Sequence, residues 1–155
     1  MFNILFVEDN PGDVALLKIL VQKLKQPHGV YFTVDGIDAL DFLHRRGAYC
    51  DAPRPNLILA DMNMPRMSGY ELLVQIKSDA DLSTIPIIIL STCTDVNDIE
   101  KVYAAHANCY VSKPGTLSRA DQFIHAVEAF WMDVAVLPPC DDRAATLRAA
   151  KLPHK

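Results

Sequence analysis

The chain has little of what marks several large classes of protein. No apolar run approaches the roughly 18 residues that a membrane-crossing helix needs, and no basic stretch precedes the short apolar run at the start. A soluble, cytoplasmic protein is therefore expected. Cysteine is sparse and scattered: Cys50, Cys93, Cys109 and Cys140 form no CxxC pair and have no histidine at ligand spacing. Neither a zinc finger nor a disulfide framework fits that pattern. The five histidines are isolated from one another, and no serine-centred nucleophile elbow occurs. The formal net charge is -4 with no basic stripe, which argues against nucleic acid as a direct partner. What is present is apolar: 50% of the 155 residues are hydrophobic, enough for the core of one domain.

The apolar residues fall into short continuous runs. Leu57-Ile58-Leu59-Ala60 has no alternation and is bounded by turn-formers, the pattern of a strand buried on both faces of a parallel sheet. Phe2 to Val7, Tyr31 to Val34, Ile85 to Leu90 and Cys109 to Ser112 read as four more strands. Between them lie stretches with apolar residues at helical spacing: Val14 to Leu24 up to Pro27, Ile37 to Leu43 ending at Gly47, and Tyr70 to Ile76. A weaker one runs from Asp95 to Ala107 with Ile99, Val102 and Tyr103 inward, and a last one starts at Ser118, with Asp121 three residues on. Asn10 or Asp13 can cap the first helix, and Asp35-Gly36 opens the second. Strands alternating with helices give an α/β doubly wound parallel sheet, for which strand order 2-1-3-4-5 is the expected winding of five strands.

That order carries a chemical consequence. Ligands of open parallel sheets bind at the carboxyl ends of the strands, near the switch point. Glu8 and Asp9 follow the first strand and Asp61 ends the third, so three carboxylates converge there, with the Ser91 hydroxyl and the Lys113 ammonium on the same rim. Three acids about 4 Å apart repel by about 4 kcal/mol per pair at an effective dielectric near 20. A cation resolves the conflict, and all-oxygen ligands with room for water suit Mg²⁺. A carboxylate beside Mg²⁺, with a hydroxyl and a lysine opposite, has the parts for phosphoryl transfer onto oxygen.

These residues resemble the receiver domains of two-component response regulators. The likeness runs from about residue 2 to residue 132, through Glu8-Asp9, the DxNMPxxSG stretch from Asp61, Ser91-Thr92, and Tyr110 followed by Lys113-Pro114. It implies a flavodoxin-like fold, with Asp61 as phospho-acceptor for a sensor histidine kinase. Glu8, Asp9, Asp61 and the Asn63 backbone carbonyl would be the metal ligands. Ser91 and Tyr110 would be the switch residues, and Ser91, Thr92 and Lys113 would bind the phosphoryl group. Thr92 stands where many receivers carry alanine, with extra bulk beside that group. The resemblance also implies a cis Lys113-Pro114 peptide. The Glu8 to Asp13 start, the loop through Ala52-Pro53-Arg54-Pro55 and the Asn108 to Pro114 segment look most like the single-domain regulators that serve phytochrome-type kinases.

On this reading the protein is a switch rather than a turnover enzyme. Phosphohydrolases resembling the haloacid dehalogenase group need a second aspartate two residues after the first, where this chain has Asn63. A receiver-shaped scaffold working without phosphorylation is the other alternative. Residues 133–155 form an extension too short for a DNA-binding output domain, with a short helix expected over Asp141 to Lys151. The helix from Ser118 to Asp133 and the residues just after it carry Phe123, Phe130, Trp131, Val134, Val136 and Leu137, more large apolar groups than one inward stripe absorbs. A homodimer joined through Phe130, Trp131 and Val134 is expected from that surplus.

Overall fold

The strand-helix alternation read from the sequence is the order of elements in a computed structural model, which describes residues 1–139. The strands are β1 (Phe2–Val7), β2 (His28–Thr33), β3 (Leu57–Asp61), β4 (Ile87–Ser91) and β5 (Cys109–Ser112). The helices are α1 (Pro11–Val21), α2 (Gly36–Leu43), α3 (Gly69–Ser78), α4 (Val96–Ala104) and α5 (Leu117–Val127). All five strands pair in parallel, in the order β2-β1-β3-β4-β5. The helix expected over Asp141 to Lys151 lies outside the described residues. Among those residues, no helix is long and apolar enough to cross a membrane.

The period of two along each strand divides the core into two layers. Leu5, Val7, Ile58, Ala60, Ile87 and Ile89 point to one face and pack against Phe42 of α2, Leu72, Leu73 and Ile76 of α3, and Val102 of α4. Ile4, Phe6, Leu57, Leu59, Ile88 and Leu90 point to the other, against Leu20 and Val21 of α1 and Ala120, Ile124 and Val127 of α5. β3 is buried along its whole length, as its unbroken apolar run requires.

Several boundaries differ from the sequence reading, each for a local reason. α1 stops at Val21, and Leu24 stays in the core from the following turn. α2 ends at Leu43 rather than Gly47, because Arg45 enters the left-handed region at φ 56°. β2 begins three residues early, at His28, and Val34 leaves it, its N–H taken by Asp38. β4 begins at Ile87, after Pro86, which has no N–H to give to a ladder. Thr116 rather than Ser118 caps α5, its hydroxyl accepting from the Arg119 N–H at 3.2 Å, while Asp121 pairs with Lys23 in the turn after α1. Regular α-helix ends at Val127, and a wider π-helical turn continues over Glu128–Val134. Tyr103, expected inward, is 47% exposed, and its hydroxyl accepts from the Tyr110 N–H. The Lys113-Pro114 peptide is trans, against expectation, as are all peptide bonds among the described residues. Cis is the minority form even before proline, and the Lys113 side chain reaches the acidic rim from a trans bond.

Candidate functional site

Register sets the site. Val7 pairs with Ala60 and Asp61 with Leu90, so Glu8 and Asp61 stand level at the ends of two adjacent strands, and Ser91 follows one residue further along the next strand, β4. The turn after β1 is fixed from both sides: the Asn10 side chain caps α1 through the Gly12 and Asp13 N–H groups, and the Asn10 N–H donates to Glu8 Oε1 at 3.1 Å. Glu8, Asp61 and Ser91 are buried, whereas Asp9 is exposed. One carboxylate oxygen from each of Glu8, Asp9 and Asp61 lies within 4.8 Å of the others.

Lys113 closes the group from the far end of the sheet. Its N–H donates to the Ser91 carbonyl at 2.8 Å, continuing the β4–β5 ladder by one residue. Its ammonium lies 2.8 Å from Glu8, 3.1 Å from Asp13 and 3.2 Å from Asp61. Burial works against a charged Lys113, but the hydrogen bonds to Glu8 and Asp13 and the charge of Asp61 outweigh it and raise its pKa. Burial raises Glu8 as well, against the pull of Lys113 and the Asn10 N–H. Asp13, in sequence only a candidate helix cap, is the unexpected member of the group; a contact between residues 100 apart in sequence leaves no local signal.

The loop after Asp61 is held closely. The Met62 N–H donates to the Leu90 carbonyl at 2.8 Å, and the Gly69 N–H to the Met62 carbonyl at 3.0 Å. A Cβ on Gly69 would stand 2.2 Å from the Asp61 carbonyl oxygen, so only glycine lets α3 start this close to β3. Ser68 and Glu71 form a capping box on α3, unnoticed in the sequence. Arg66 has φ 63° and donates to the buried Asp35 carboxylate at 2.6 Å, tying this loop to the start of α2. The Gly36 N–H donates to the Met67 carbonyl at 3.2 Å, a second tie between the same two loops. Asn63 is exposed, with its N–H 3.4 Å from Asp61 Oδ1.

The remaining predicted residues lie at the end of β4 and just after it, in β5, and in the π-helical turn that follows α5. Ser91 Oγ accepts from the Cys93 N–H at 3.1 Å, and Thr92 is exposed. The Tyr110 ring is half-buried against the core, and its hydroxyl donates to the Cys93 carbonyl at 2.5 Å, linking β5 to the loop that begins at Ser91. Phe130 and Val134 are exposed, whereas Trp131 is half-buried against the α1–α5 layer with Phe130 edge-on to it. These three are far from the acids in sequence and contribute nothing to their cluster.

The donor set is chemically selective. Three carboxylates, those of Glu8, Asp13 and Asp61, meet one ammonium, and Asp9 adds a fourth negative charge beside Glu8 and Asp61. The cluster of Glu8, Asp9 and Asp61 offers oxygen alone and has negative charge to spare, which fits a hard divalent cation of the Mg²⁺ kind.

Known proteins similar to this chain in sequence and fold are numerous. Response regulator Rcp1 of Synechocystis sp. is 36% identical over 135 residues, covering 87% of this chain and 92% of Rcp1. The crystal structure of the phosphorylated cyanobacterial phytochrome response regulator RcpA superposes with a TM-score of 0.84 at 40% identity, over 89% of this chain and 99% of that one. The Mn²⁺-bound form of Rcp1 also gives a TM-score of 0.84, at 35% identity over 90% of this chain and 100% of that one. The family model for the response regulator receiver domain matches residues 4–136, and the chain belongs to that family.

Proposed function

We propose that the protein is a single-domain response regulator in which Asp61 accepts a phosphoryl group from a sensor histidine kinase, in a Mg²⁺-dependent reaction. The observation that carries this reading is the Lys113 ammonium lying within 3.2 Å of both Glu8 and Asp61, at the mouth of an oxygen cluster. Asp61 is buried at the end of β3, with Lys113 beside it to meet negative charge arriving on a phosphoryl oxygen. An Asp61 oxygen forms the new bond to phosphorus as the bond from phosphorus to the donor imidazole nitrogen breaks, and the imidazole leaves with that electron pair. Glu8, Asp9, Asp61 and the Asn63 carbonyl would hold Mg²⁺, which when bound supplies positive charge against the phosphoryl oxygens. The Mn²⁺-bound form of Rcp1 supports that assignment.

Ser91 and Thr92 would donate to the phosphoryl oxygens, and Ser91 and Tyr110 would carry the response. The supporting feature is the shared β4–α4 loop: Ser91 holds the Cys93 N–H and Tyr110 the Cys93 carbonyl. A kinase of the phytochrome type is the proposed partner, on the likeness to RcpA. Residues 1–132 act as the receiver and 133–155 as an extension, in a cytoplasmic protein that pairs with a second copy through Phe130, Trp131 and Val134. No nucleic acid is needed, since the output is a change in protein contacts.

The test is mass spectrometry of the full chain after incubation with Mg²⁺ and acetyl phosphate, or with a phosphorylated kinase. One added phosphoryl group, lost in Asp61→Asn and absent without divalent metal, is the expected result. A phosphorylated Asp61→Asn chain would refute the assignment. Unmodified protein under all conditions would favour the scaffold reading.

A further inference from the structure

Lys113 has three N–H donors and meets three carboxylates, but those carboxylates are not equivalent. Glu8 and Asp61 also belong to the oxygen cluster with Asp9, and a cation bound there would claim their charge. Asp13 lies outside that cluster, 3.1 Å from the same ammonium. It is also fixed independently: it sits in the first turn of α1, where the Asn10 side chain accepts from its N–H at 3.1 Å. Beyond Asp13 the gap between α1 and α5 is open and apolar, lined by Leu16, Leu17, Pro114 and Phe123. The flexible Lys113 stem has room to swing that way once its carboxylate partners are otherwise engaged.

We infer that Asp13 is a positioning residue for phosphoryl transfer, holding the Lys113 ammonium at the edge of Asp61 while Glu8 and Asp61 are engaged by metal. The inference rests on the phospho-acceptor reading above. One ammonium hydrogen stays on Asp13, and the other two are free to turn toward phosphoryl oxygens. The tether comes from a helix rather than a loop, so Lys113 keeps its place before the donor arrives. Asp13 touches neither the phosphoryl group nor the metal on this account and acts only through Lys113.

A carboxylate in the first turn of a helix also favours the helix dipole, and that role has to be separated from positioning. The experiment is a double-mutant cycle on the full chain, reading the initial rate of Asp61 phosphorylation by acetyl phosphate with Mg²⁺. Asp13→Ala is expected to slow uptake by about fivefold to tenfold when Lys113 is present and to change nothing further in a Lys113→Met background. Equal losses in both backgrounds, or no loss in the first, overturn the inference. A second readout covers the case in which Lys113→Met is too slow to rank. In metal-loaded protein, Asp13→Asn should shift and broaden the Lys113 Cε resonance, and an unchanged resonance overturns the inference. Failure of the unsubstituted chain to take up phosphate would be a different result, overturning the phospho-acceptor reading and this inference with it.

Discussion

The Arg66 guanidinium lies 2.6 Å from the buried carboxylate of Asp35, although the two residues belong to different loops and Arg66 itself is exposed. Asp35 also caps α2 by accepting from the Asp38 N–H at 2.9 Å. One carboxylate therefore fixes a helix start and the loop that follows Asp61. Arg66 holds its end of the pair from a left-handed backbone conformation, which costs a non-glycine residue about 1 kcal/mol.

Asp35→Ala removes the cap and the charge-assisted bond together, and a loss of about 2 kcal/mol in unfolding free energy is expected. Arg66→Ala should also destabilise, since it leaves Asp35 buried without its cation and keeps the backbone strain. Arg66→Gly should fall between it and the unsubstituted chain, because glycine adopts φ 63° freely. Urea denaturation of the three variants checks the order.

The same pair sets an acid limb. Burial would raise the Asp35 carboxyl, but Arg66 and the Asp38 N–H outweigh it and hold it below the ordinary carboxylate range. A depressed folded-state pKa contributes stability that is complete above the unfolded value, about 3.9, and is lost as pH falls through the folded one. Unfolding free energy measured from pH 6 downward should therefore fall less steeply below about pH 4 in Asp35→Asn than in the unsubstituted chain.

Metal addition should stabilise the native state alone, because the cluster of Glu8, Asp9 and Asp61 exists only when the strands are paired. Mg²⁺ at tenfold its dissociation constant adds about 1.4 kcal/mol, roughly 3–6 °C in Tm. Asp9→Asn should raise the metal-free Tm by relieving repulsion and shrink the response to Mg²⁺. An unchanged melting curve across a millimolar titration would remove the metal assignment.

Lys113 is the counter-ion that the protein itself provides. Lys113→Met leaves Glu8 and Asp61 buried without their ammonium, for an expected loss of about 3 kcal/mol in metal-free buffer. Mg²⁺ should restore much of that loss, so its effect on Tm should be larger in Lys113→Met than in the unsubstituted chain. Calorimetry with and without Mg²⁺ measures both.

Much of this site was legible because parallel sheets place their chemistry by rule. Glu8, Asp9 and Asp61 stand directly after continuous apolar runs, and strand order alone brings them together. Lys113 and Ser91 follow from the same rule. Partners that meet through tertiary packing left no trace: Asp13 with Lys113 and Arg66 with Asp35 carry no periodicity and no fixed spacing. The end of α5 is hidden in the sequence because apolar spacing continues through Phe130 and Trp131 while the backbone widens into a π turn at Glu128. The cap on α5 is ambiguous in the sequence for a simpler reason: Thr116 and Ser118 are both good caps, and only backbone geometry chooses between them.

Association through the end of α5 can be separated from its role in the core. Trp131 packs on the α1–α5 layer, so Trp131→Ala should lower stability whether or not the protein pairs. Phe130 is 52% exposed, Val134 68% and Val136 98%, and these side chains contribute little to the fold of one chain. If a second copy covers them, Phe130→Asp places an uncompensated charge in the shared surface while leaving the monomer intact. Multi-angle light scattering at micromolar concentration should then show a dimer for the unsubstituted chain and a monomer for Phe130→Asp, with nearly equal content of secondary structure. A monomeric unsubstituted chain would end the proposal. A Phe130→Asp chain that still pairs would move the contact to another face.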